Sequence, residues 1–226
     1  MKFNLKKFKI FIKKISNKIL IRKSSSQLFN SRDYWEKRYL SNNNSGAGSY
    51  GRLADFKAEV LNDFVKINNI QSIIEFGCGD GNQLGLANYP NYIGLDVSKN
   101  AISLCQQKFK EDVSKKFYLT DEFKKRHIKT ELVLSLDVLF HLIEDEVFEN
   151  YMNDIFNSAT KYVIIYSSNY NDHFAPHVKC RKFTDWTEKN VSANWKLQEV
   201  INNIYPFDKS NPDSTSFSDF YIFKRC

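Results

Sequence analysis

The segment EFGCGDG, residues 75–81, places three glycines at alternate positions directly after an apolar run. A dinucleotide loop requires G-x-G-x-x-G, but the sixth position is Asn82 when counted from Gly77 and Leu84 when counted from Gly79. A phosphate loop requires a Gly-Lys pair followed by Ser or Thr, and no such pair follows. The spacing therefore excludes both common loops that bind pyrophosphate.

Two carboxylates accompany these glycines and indicate the charge of the ligand. Glu75 ends the apolar run and Asp80 lies inside the turn. Glycine permits the close approach of another group to the backbone, while two negative charges repel a phosphate. The segment therefore predicts a binding loop for a ligand that carries hydroxyl groups and positive charge but no phosphate.

Strands and helices alternate from Ser72 onward, which predicts a parallel sheet covered on both faces. The predicted strands are 72–76, 92–96, 116–119, 131–137 and 161–167, and the predicted helices are 82–88, 99–110 and 144–159. Two further strand-like runs, within 195–205 and 216–225, are joined by a loop that contains proline and predict a terminal hairpin. The segment RDYWEKRYL predicts a short helix well before the first strand.

Positive charge is concentrated at the amino terminus. The 226-residue chain has a net charge of +7, but residues 1–32 hold ten Lys or Arg and no acid, which leaves 23 basic against 26 acidic residues afterwards. Residues 2–23 repeat apolar side chains every three or four positions, as in a basic amphipathic helix. We expect an arm and linker over 1–31 that docks on an anionic membrane or a protein partner, packs on its own domain or stays unstructured. A catalytic domain would follow over 32–226.

The remaining composition narrows the class of protein. Because the basicity is local, specific nucleic-acid binding is not predicted, and lysines interrupt the arm too often for a membrane span or a signal peptide. The four cysteines form no C-x-x-C pair, which argues against a zinc ribbon and against a disulfide framework. We expect a cytoplasmic protein without a metal, peripheral at the inner face of the membrane if the arm docks there.

The motifs along residues 50–226 are characteristic as a set. The glycine segment follows the first predicted strand, acids follow the next two at YIGLDVS and FYLTD, and SLDVLFHL ends the fourth. In this order they resemble the class I S-adenosylmethionine-dependent methyltransferases. The segments YWEKRY and NSGAGSYGRLADFKAEVLN resemble, within that class, bacterial enzymes of capsule and surface-polysaccharide biosynthesis. The resemblance implies a Rossmann-like α/β fold, with a mostly parallel seven-stranded sheet, helices on both faces and a C-terminal antiparallel hairpin.

The resemblance also implies S-adenosylmethionine as cofactor and assigns roles to individual residues. Asp96 would accept hydrogen bonds from the ribose hydroxyls, Asp121 would face the adenine amino group, and Glu75 would lie near the methionyl amino end. The implied cofactor-contacting residues are Glu75, Gly77, Cys78, Gly79, Gly81, Asp96, Val97, Asp121, Leu136 and Asp137. The alternatives are that Asp96 and Asp121 only cap helices, although Ser98 is better suited to cap 99–110, and that Cys78 is a small residue in a tight loop.

A candidate base follows the fourth strand. Methyl transfer to an alcohol requires removal of a proton, and His141 is placed where open α/β sheets bind ligands. Tyr166, Asn169, His177 and Arg181 are candidate contacts for the acceptor, in or near a predicted loop after the fifth strand. Arg181 would suit the diphosphate of a nucleotide sugar. A metal held by His177 and a carboxylate has no support from the spacing.

Three functions remain open at this stage. The favoured one is an O-methyltransferase that acts on a sugar, a nucleotide sugar or a surface glycan. The others are a small-molecule N-methyltransferase and a cofactor-binding module that assists a neighbouring enzyme through its arm. The fourth strand lacks a following N-P-P-[YF] motif, which disfavours methylation of adenine in DNA.

Overall fold

A computed structural model of the chain describes residues 29–41 and 43–226. The predicted amphipathic helix over 2–23 lies outside these residues. The first described helix, α1 (Ser31–Leu40), matches the prediction from RDYWEKRYL. Its amino end is capped by Asn30, whose side chain accepts a hydrogen bond from the Asp33 amide at 2.9 Å.

Seven strands form one mixed sheet. They are β1 (Ser72–Phe76), β2 (Asn91–Asp96), β3 (Lys115–Leu119), β4 (Thr130–Leu136), β5 (Ala159–Ser167), β8 (Trp195–Ile201) and β9 (Asp219–Arg225). The strands β6 (Asp172–Ala175) and β7 (Val178–Cys180) form a separate hairpin. The order across the sheet is β3-β2-β1-β4-β5-β9-β8. The strands β1 to β5 pair parallel with one another, whereas β9 pairs antiparallel with both β5 and β8. This confirms the predicted fold class, including the C-terminal hairpin.

Helices cover both faces of the sheet. They are α2 (Gly51–Ile67), α3 (Lys99–Lys108), α4 (Thr120–Lys124), α5 (Asp145–Ser158) and α6 (Phe183–Asn190). One core cluster packs α2 and α3 on one face, and a second packs α5 and α6 on the other. The central strands are buried on both faces, which explains their continuous apolar runs.

Two segments differ from the sequence predictions. The helix predicted at 82–88 is a short 3-10 helix, Gln83–Leu86, which ends at Ala87, where the backbone becomes extended. The predicted loop after β5 contains a small hairpin, β6 (Asp172–Ala175) and β7 (Val178–Cys180). Among the described helices, none is long and apolar enough to cross a membrane.

Candidate active site

A cavity of about 340 Å³ opens at the carboxyl ends of β1, β2 and β4, beneath α1. This is the edge at which open α/β sheets bind ligands. It is lined by nine of the ten residues predicted to contact a cofactor, together with the predicted base: Glu75, Gly77, Cys78, Gly79, Asp96, Val97, Asp121, Leu136, Asp137 and His141. The structure thus brings together residues that are far apart in the sequence.

The glycine loop is shaped by neighbouring side chains as well as by its place beside the cavity. Gly77 and Gly79 have φ angles of 90° and 57°, in the left-handed region that favours glycine. A side chain at Gly77 would collide with Val138, and one at Gly79 would collide with Ser45 and come within 2.9 Å of the Tyr39 hydroxyl. The space left by the absent side chains of these glycines is therefore occupied by other side chains of the protein.

Gly81 does not line the cavity and requires a correction. Its φ of 70° suits glycine, but a side chain there would meet the ring of Phe109 at 2.8 Å and the Cys105 sulfur at 3.0 Å. Gly81 therefore faces α3 and the segment that follows it. Its role is to let the loop pack against that helix. The position of Gly81 does not support the predicted contact with a cofactor.

Asp96 is buried at the end of β2 and organises the loop above it. Its carboxylate accepts hydrogen bonds from the backbone amides of Gly79 at 3.0 Å and Ser98 at 2.9 Å. Burial raises its pKa to about 6, against the opposing effect of these amides. Ser98 is the cap of α3, since its hydroxyl accepts a hydrogen bond from the Ala101 amide at 3.2 Å. Asp96 is thereby left to face the cavity.

Glu75 lies deeper in the same cavity. Its side chain is buried, and the Tyr92 hydroxyl donates a hydrogen bond to Oε2 at 2.6 Å. Burial raises the pKa of Glu75 to about 7, and this rise is opposed by the Tyr92 hydrogen bond and by the positive charge of Lys57. A positively charged ligand would therefore stabilise the ionised form of Glu75.

The raised pKa of Glu75 predicts a pH-dependent stability. Between pH 4.5 and about 7 the folded state binds more protons at Glu75 than the unfolded state does, so stability falls as pH rises through this window. Glu75→Gln removes this effect while keeping an acceptor for Tyr92. At pH 8 and without ligand, we expect the Tm of Glu75→Gln to exceed the wild-type Tm. The difference should be about 2–4 °C for each kcal/mol gained in the free energy of unfolding. At pH 4.5 we expect little difference. Calorimetric scans over this pH range measure it, and a Tm difference that shrinks as pH rises would contradict it.

A lysine that the sequence analysis did not select lies in the floor of the cavity. Lys57, on α2, is 1% exposed, and its Nζ donates to Oδ2 of Asp137 at 2.7 Å. Oδ1 of Asp137 accepts a hydrogen bond from the Ser218 hydroxyl at 3.1 Å. Asp137 itself has a φ of 58°, which turns the chain sharply after β4. The ion pair fixes this turn against α2.

The sequence contained a signal for Lys57. It is four residues after Leu53 and four before Leu61, so it lies on the apolar stripe of α2, where a charged side chain is unusual. Gln83 also lines the cavity and was not selected. Its amide donates to the carbonyl of Ala54 at 3.1 Å, whereas its buried Oε1 has no hydrogen-bond partner among the described residues. That oxygen is an available acceptor for a ligand.

Helix α1 covers the cavity and is fastened at both ends. Ser31 donates to the Glu144 carboxylate from its amide, at 3.0 Å, and from its hydroxyl. The Tyr39 hydroxyl and the Ser45 hydroxyl are hydrogen-bonded at 3.0 Å, and the amide of Ser45 donates to Asp80 at 2.9 Å. The acid inside the glycine turn therefore holds the segment after α1, a role that the sequence alone did not reveal.

Asp121 lines the outer part of the cavity. Its side chain is 62% exposed and forms an ion pair with Arg32 of α1 at 2.7 Å. It is the second residue of α4, whose cap residue is Leu119 and which has no side-chain cap, so Asp121 does not fill the capping role considered from the sequence. The proposed contact with adenine stays a prediction, and the ion pair adds a second function for this carboxylate, which is to secure α1.

His141 is held in one tautomer at the edge of the cavity. Its Nδ1 lies 3.0 Å from the carbonyl oxygen of His177, and since a carbonyl can only accept, Nδ1 must carry the proton. Its ring contacts Trp35 edge-on, with a centroid separation of 4.9 Å. Burial lowers the pKa of His141 to about 4. The imidazole is therefore neutral at pH 7, with the lone pair on Nε2.

Three predicted acceptor contacts are engaged elsewhere, and these predictions are corrected. The Tyr166 ring is 1% exposed in the core, and its hydroxyl accepts from Asn203 at 2.6 Å. The Asn169 side chain accepts from the amide and hydroxyl of Thr184, at the start of α6. None of the three lines the cavity of the described chain.

Arg181 is the third of these residues. Its guanidinium donates to the carbonyls of Leu142 and Ile143 and forms an ion pair with Asp145 at 2.7 Å. It thereby holds the segment after His141 and is not available for a diphosphate. His177 acts through its backbone, whose carbonyl orients His141, while its ring stacks on Tyr34 with a centroid separation of 5.0 Å.

The cavity has a strong excess of negative charge. Its lining includes only two cationic side chains, Arg32 and Lys57, among the described residues. The lining carboxylates are Glu75, Asp80, Asp96, Asp121, Asp137, Glu144 and Asp154. Within the described chain no group of three His, Cys, Asp or Glu side chains is arranged to hold a metal ion. The site is suited to a cationic organic ligand, in agreement with the charge predicted from the glycine loop.

Solved structures share this architecture. Magnesium protoporphyrin IX methyltransferase from Synechocystis PCC 6803, with bound S-adenosylmethionine, has a TM-score of 0.62 at 16% identity, over 88% of this chain and 99% of that one. The N-methyltransferase NodS from Bradyrhizobium japonicum WM9, in complex with S-adenosyl-L-homocysteine, has a TM-score of 0.63 at 14% identity, over 87% and 98% of the two chains. The chain has the class I methyltransferase fold.

The methyltransferase domain of the bacterial protein CtHen1-C has the same fold, with a TM-score of 0.58 at 17% identity, over 74% of this chain and 96% of that one. No protein-family model matches the sequence, and no curated protein matches it. These identities are too low to transfer an acceptor from one protein to another. The acceptor has to be inferred from the residues of this methyltransferase fold.

Proposed function

We propose that this protein is a methyltransferase that uses S-adenosylmethionine to methylate a hydroxyl group of a sugar or glycan. The observation that carries the proposal is the acid-lined cavity at the carboxyl ends of β1, β2 and β4, with His141 fixed at its edge. The similar folds with bound S-adenosylmethionine and S-adenosyl-L-homocysteine support the choice of cofactor.

The residues present fit this cofactor. S-adenosylmethionine carries a sulfonium, an ammonium and a ribose diol but no phosphate, which matches an acidic cavity without a phosphate loop. Asp96 would accept hydrogen bonds from the ribose hydroxyls, as charged acceptors do strongly. Glu75 and the unpartnered oxygen of Gln83 would accept from the ammonium, and Lys57 would offset the carboxylate of the amino acid end.

The bound cofactor supplies an activated methyl group, and the protein supplies position and proton removal. Nε2 of His141 would accept the proton of the acceptor hydroxyl. The Nδ1 proton would stay hydrogen-bonded to the carbonyl of His177, which stabilises the imidazolium that forms. Helix α1 would exclude water from the cavity through Trp35 and Tyr39.

The charges favour an uncharged acceptor over a nucleotide sugar. Arg181 contacts the segment that follows His141, and Lys179 precedes Arg181 by two residues. Both side chains are ion-paired with Asp145, Arg181 at 2.7 Å and Lys179 at 2.6 Å. A diphosphate would have to break these pairs and approach a cavity rich in carboxylates. A neutral sugar hydroxyl meets neither obstacle.

A second candidate is an N-methyltransferase that acts on a small amine. The same excess of carboxylates would attract a protonated amine, which would release its proton to solvent before transfer. Release of S-adenosylhomocysteine from parallel panels of sugars and amines distinguishes the two candidates. Turnover confined to amines would replace the glycan proposal.

The cofactor assignment is tested at Asp96. We expect S-adenosylhomocysteine to bind the wild-type protein, and Asp96→Ala to weaken its affinity by about 1.5–3 kcal/mol, because a buried charged acceptor is lost. Isothermal titration calorimetry measures both. NAD serves as the negative ligand, since the loop lacks the dinucleotide spacing.

Asp121→Ala is the matched control for this experiment. Its carboxylate also lines the cavity but is 62% exposed, so we expect a smaller loss of affinity than at Asp96. Because Asp96 also orders the glycine loop, the Tm of each variant without ligand is recorded alongside. Wild-type affinity in Asp96→Ala would remove Asp96 from the cofactor site, and binding of NAD in place of S-adenosylhomocysteine would remove the proposed function.

A further inference from the structure

Four aromatic side chains form a cluster at the surface, in which all but the half-buried Phe217 are exposed: Tyr170, Phe174, Phe207 and Phe217. We call them the aromatic surface. The rings of Phe174 and Phe217 are nearly parallel, 17° apart, with a centroid separation of 5.8 Å. Phe174 is 51% exposed and Phe207 is 43% exposed. Large apolar side chains clustered in solvent are typical of a binding surface.

The backbone holds these rings in place. Phe174 lies at an irregularity in the pairing of β6 with β7, between His173 and Ala175, where an extra residue re-aims a side chain. The loop that carries Phe207 and Phe217 is anchored to α2. Arg52 donates to the carbonyl of Ser214 at 2.6 Å, and its guanidinium lies 4.3 Å from the centre of the Tyr205 ring. The surface is thus built from two supported segments.

The aromatic surface is connected to His141 through one buried ring, that of Phe140. Phe217 packs edge-on against Phe140 at a centroid separation of 5.1 Å, and Phe140 lies 4.5 Å from the ring of His141. The hairpin that carries Phe174 also supplies the His177 carbonyl that orients His141. The aromatic surface is therefore linked to the candidate base by two ring contacts and by the hairpin backbone.

We propose that the aromatic surface is the acceptor subsite and that it binds the ring of an uncharged sugar. This rests on the proposed function and assigns a recognition mode to it. A pyranose has C–H faces, which pack on the negative face of an aromatic ring, and a hydroxylated edge that can reach His141. An anionic acceptor would gain little from the faces of these rings, which instead attract cations, and the neighbouring cations Lys179 and Arg181 are already paired.

The test is saturation-transfer NMR on the full chain, saturated with S-adenosylhomocysteine. The ligands are the methyl glycosides of glucose, galactose, mannose, rhamnose and fucose. We expect transfer to the ring C–H protons of at least one glycoside, reduced to a third or less in the double variant Phe174→Ala/Phe207→Ala. Ile67→Ala, at a side chain that is 80% exposed at the end of α2, is the matched control and should keep the wild-type signal.

Two results would overturn the subsite. One is transfer to none of the glycosides, or transfer undiminished in the double variant. The other is a dimer of the wild-type chain in sedimentation that the double variant abolishes, which would make the surface a contact between two copies. Calorimetry with S-adenosylhomocysteine on the same samples separates the two proposals: a wild-type chain that binds the cofactor but no glycoside refutes only the subsite, whereas a wild-type chain that does not bind the cofactor refutes the proposed function.

Discussion

Replacement of His141 by Asn is expected to lower turnover by about 10²-fold, the lower end of the usual contribution of a general base, because a pKa of about 4 makes the imidazole a weak base. An alcohol is a weak nucleophile at neutral pH, and the only ring nitrogen of His141 left to accept its proton is Nε2. The Asn amide can still donate to the carbonyl of His177, as Nδ1 does at 3.0 Å. The variant therefore removes the base while retaining its anchor, so we expect little change in the affinity for S-adenosylhomocysteine.

The pH dependence gives this prediction a second measurement. Because the pKa of His141 is lowered to about 4, the neutral imidazole persists at pH 5–8, and we expect turnover without an acid limb near 6.5. The lowered pKa of His141 also determines the direction in which stability changes with pH. The unfolded state binds more protons at this residue between about 4 and 6.5, so the stability that the neutral histidine provides is lost as pH falls through that window.

His173→Gln is the control for His141, since His173 is exposed on the hairpin. Turnover is compared by release of S-adenosylhomocysteine with the acceptor found in the panels, and cofactor affinity by calorimetry. Near-normal turnover in His141→Asn would exclude His141 as the base. Equal losses in turnover and cofactor affinity would instead indicate that His141 only shapes the cavity.

The second large effect is expected at the buried ion pair. Lys57→Met should lower the free energy of unfolding by about 3–5 kcal/mol, because it leaves the carboxylate of Asp137 without its partner in a largely buried place. Asp137 is 18% accessible, which places the expected loss towards the lower end. Urea unfolding of the ligand-free protein measures this change.

A double variant tests the reason for this loss. Lys57→Met/Asp137→Asn removes the unpaired charge, and Asn tolerates the φ of 58° at this position and can accept from Ser218. We expect the double variant to regain more than half of the stability lost in Lys57→Met. A single variant within 1 kcal/mol of wild type, or a double variant no better than the single one, would show that the ion pair contributes little.

The sequence was most informative where a pattern is local. The five parallel strands were predicted within two residues at each end, because buried strands of a parallel sheet are short apolar runs bounded by turns. The helix cap at Ser98 was likewise predicted from chemistry within three residues. The helix predicted at 82–88 is the shorter 3-10 helix Gln83–Leu86, and the hairpin β6–β7 was missed, since strands of four and three residues are too short to show a clear period.

The residues predicted to contact the cofactor lie close together for a related reason, while their contacts with it stay predictions. Each parallel strand delivers the residue that follows it to the same edge of the sheet, so Glu75, Asp96 and Asp137 had to converge once the strand order was right. Gly81 was the exception. Its position in the glycine turn gave no indication that it would face Phe109 and Cys105 of the α3 region instead of the cavity.

The sequence by itself determined the class of fold, the edge of the sheet that carries the site and the negative charge around it, because these follow from periodicity and from residue types at strand ends. Only the tertiary structure decided which side chains are available. It placed Lys57 beside Asp137, engaged Arg181 with Asp145 and buried Tyr166. The physical reason is that hydrogen bonds and ion pairs between distant segments depend on distances of a few ångströms, which spacing along the chain does not specify.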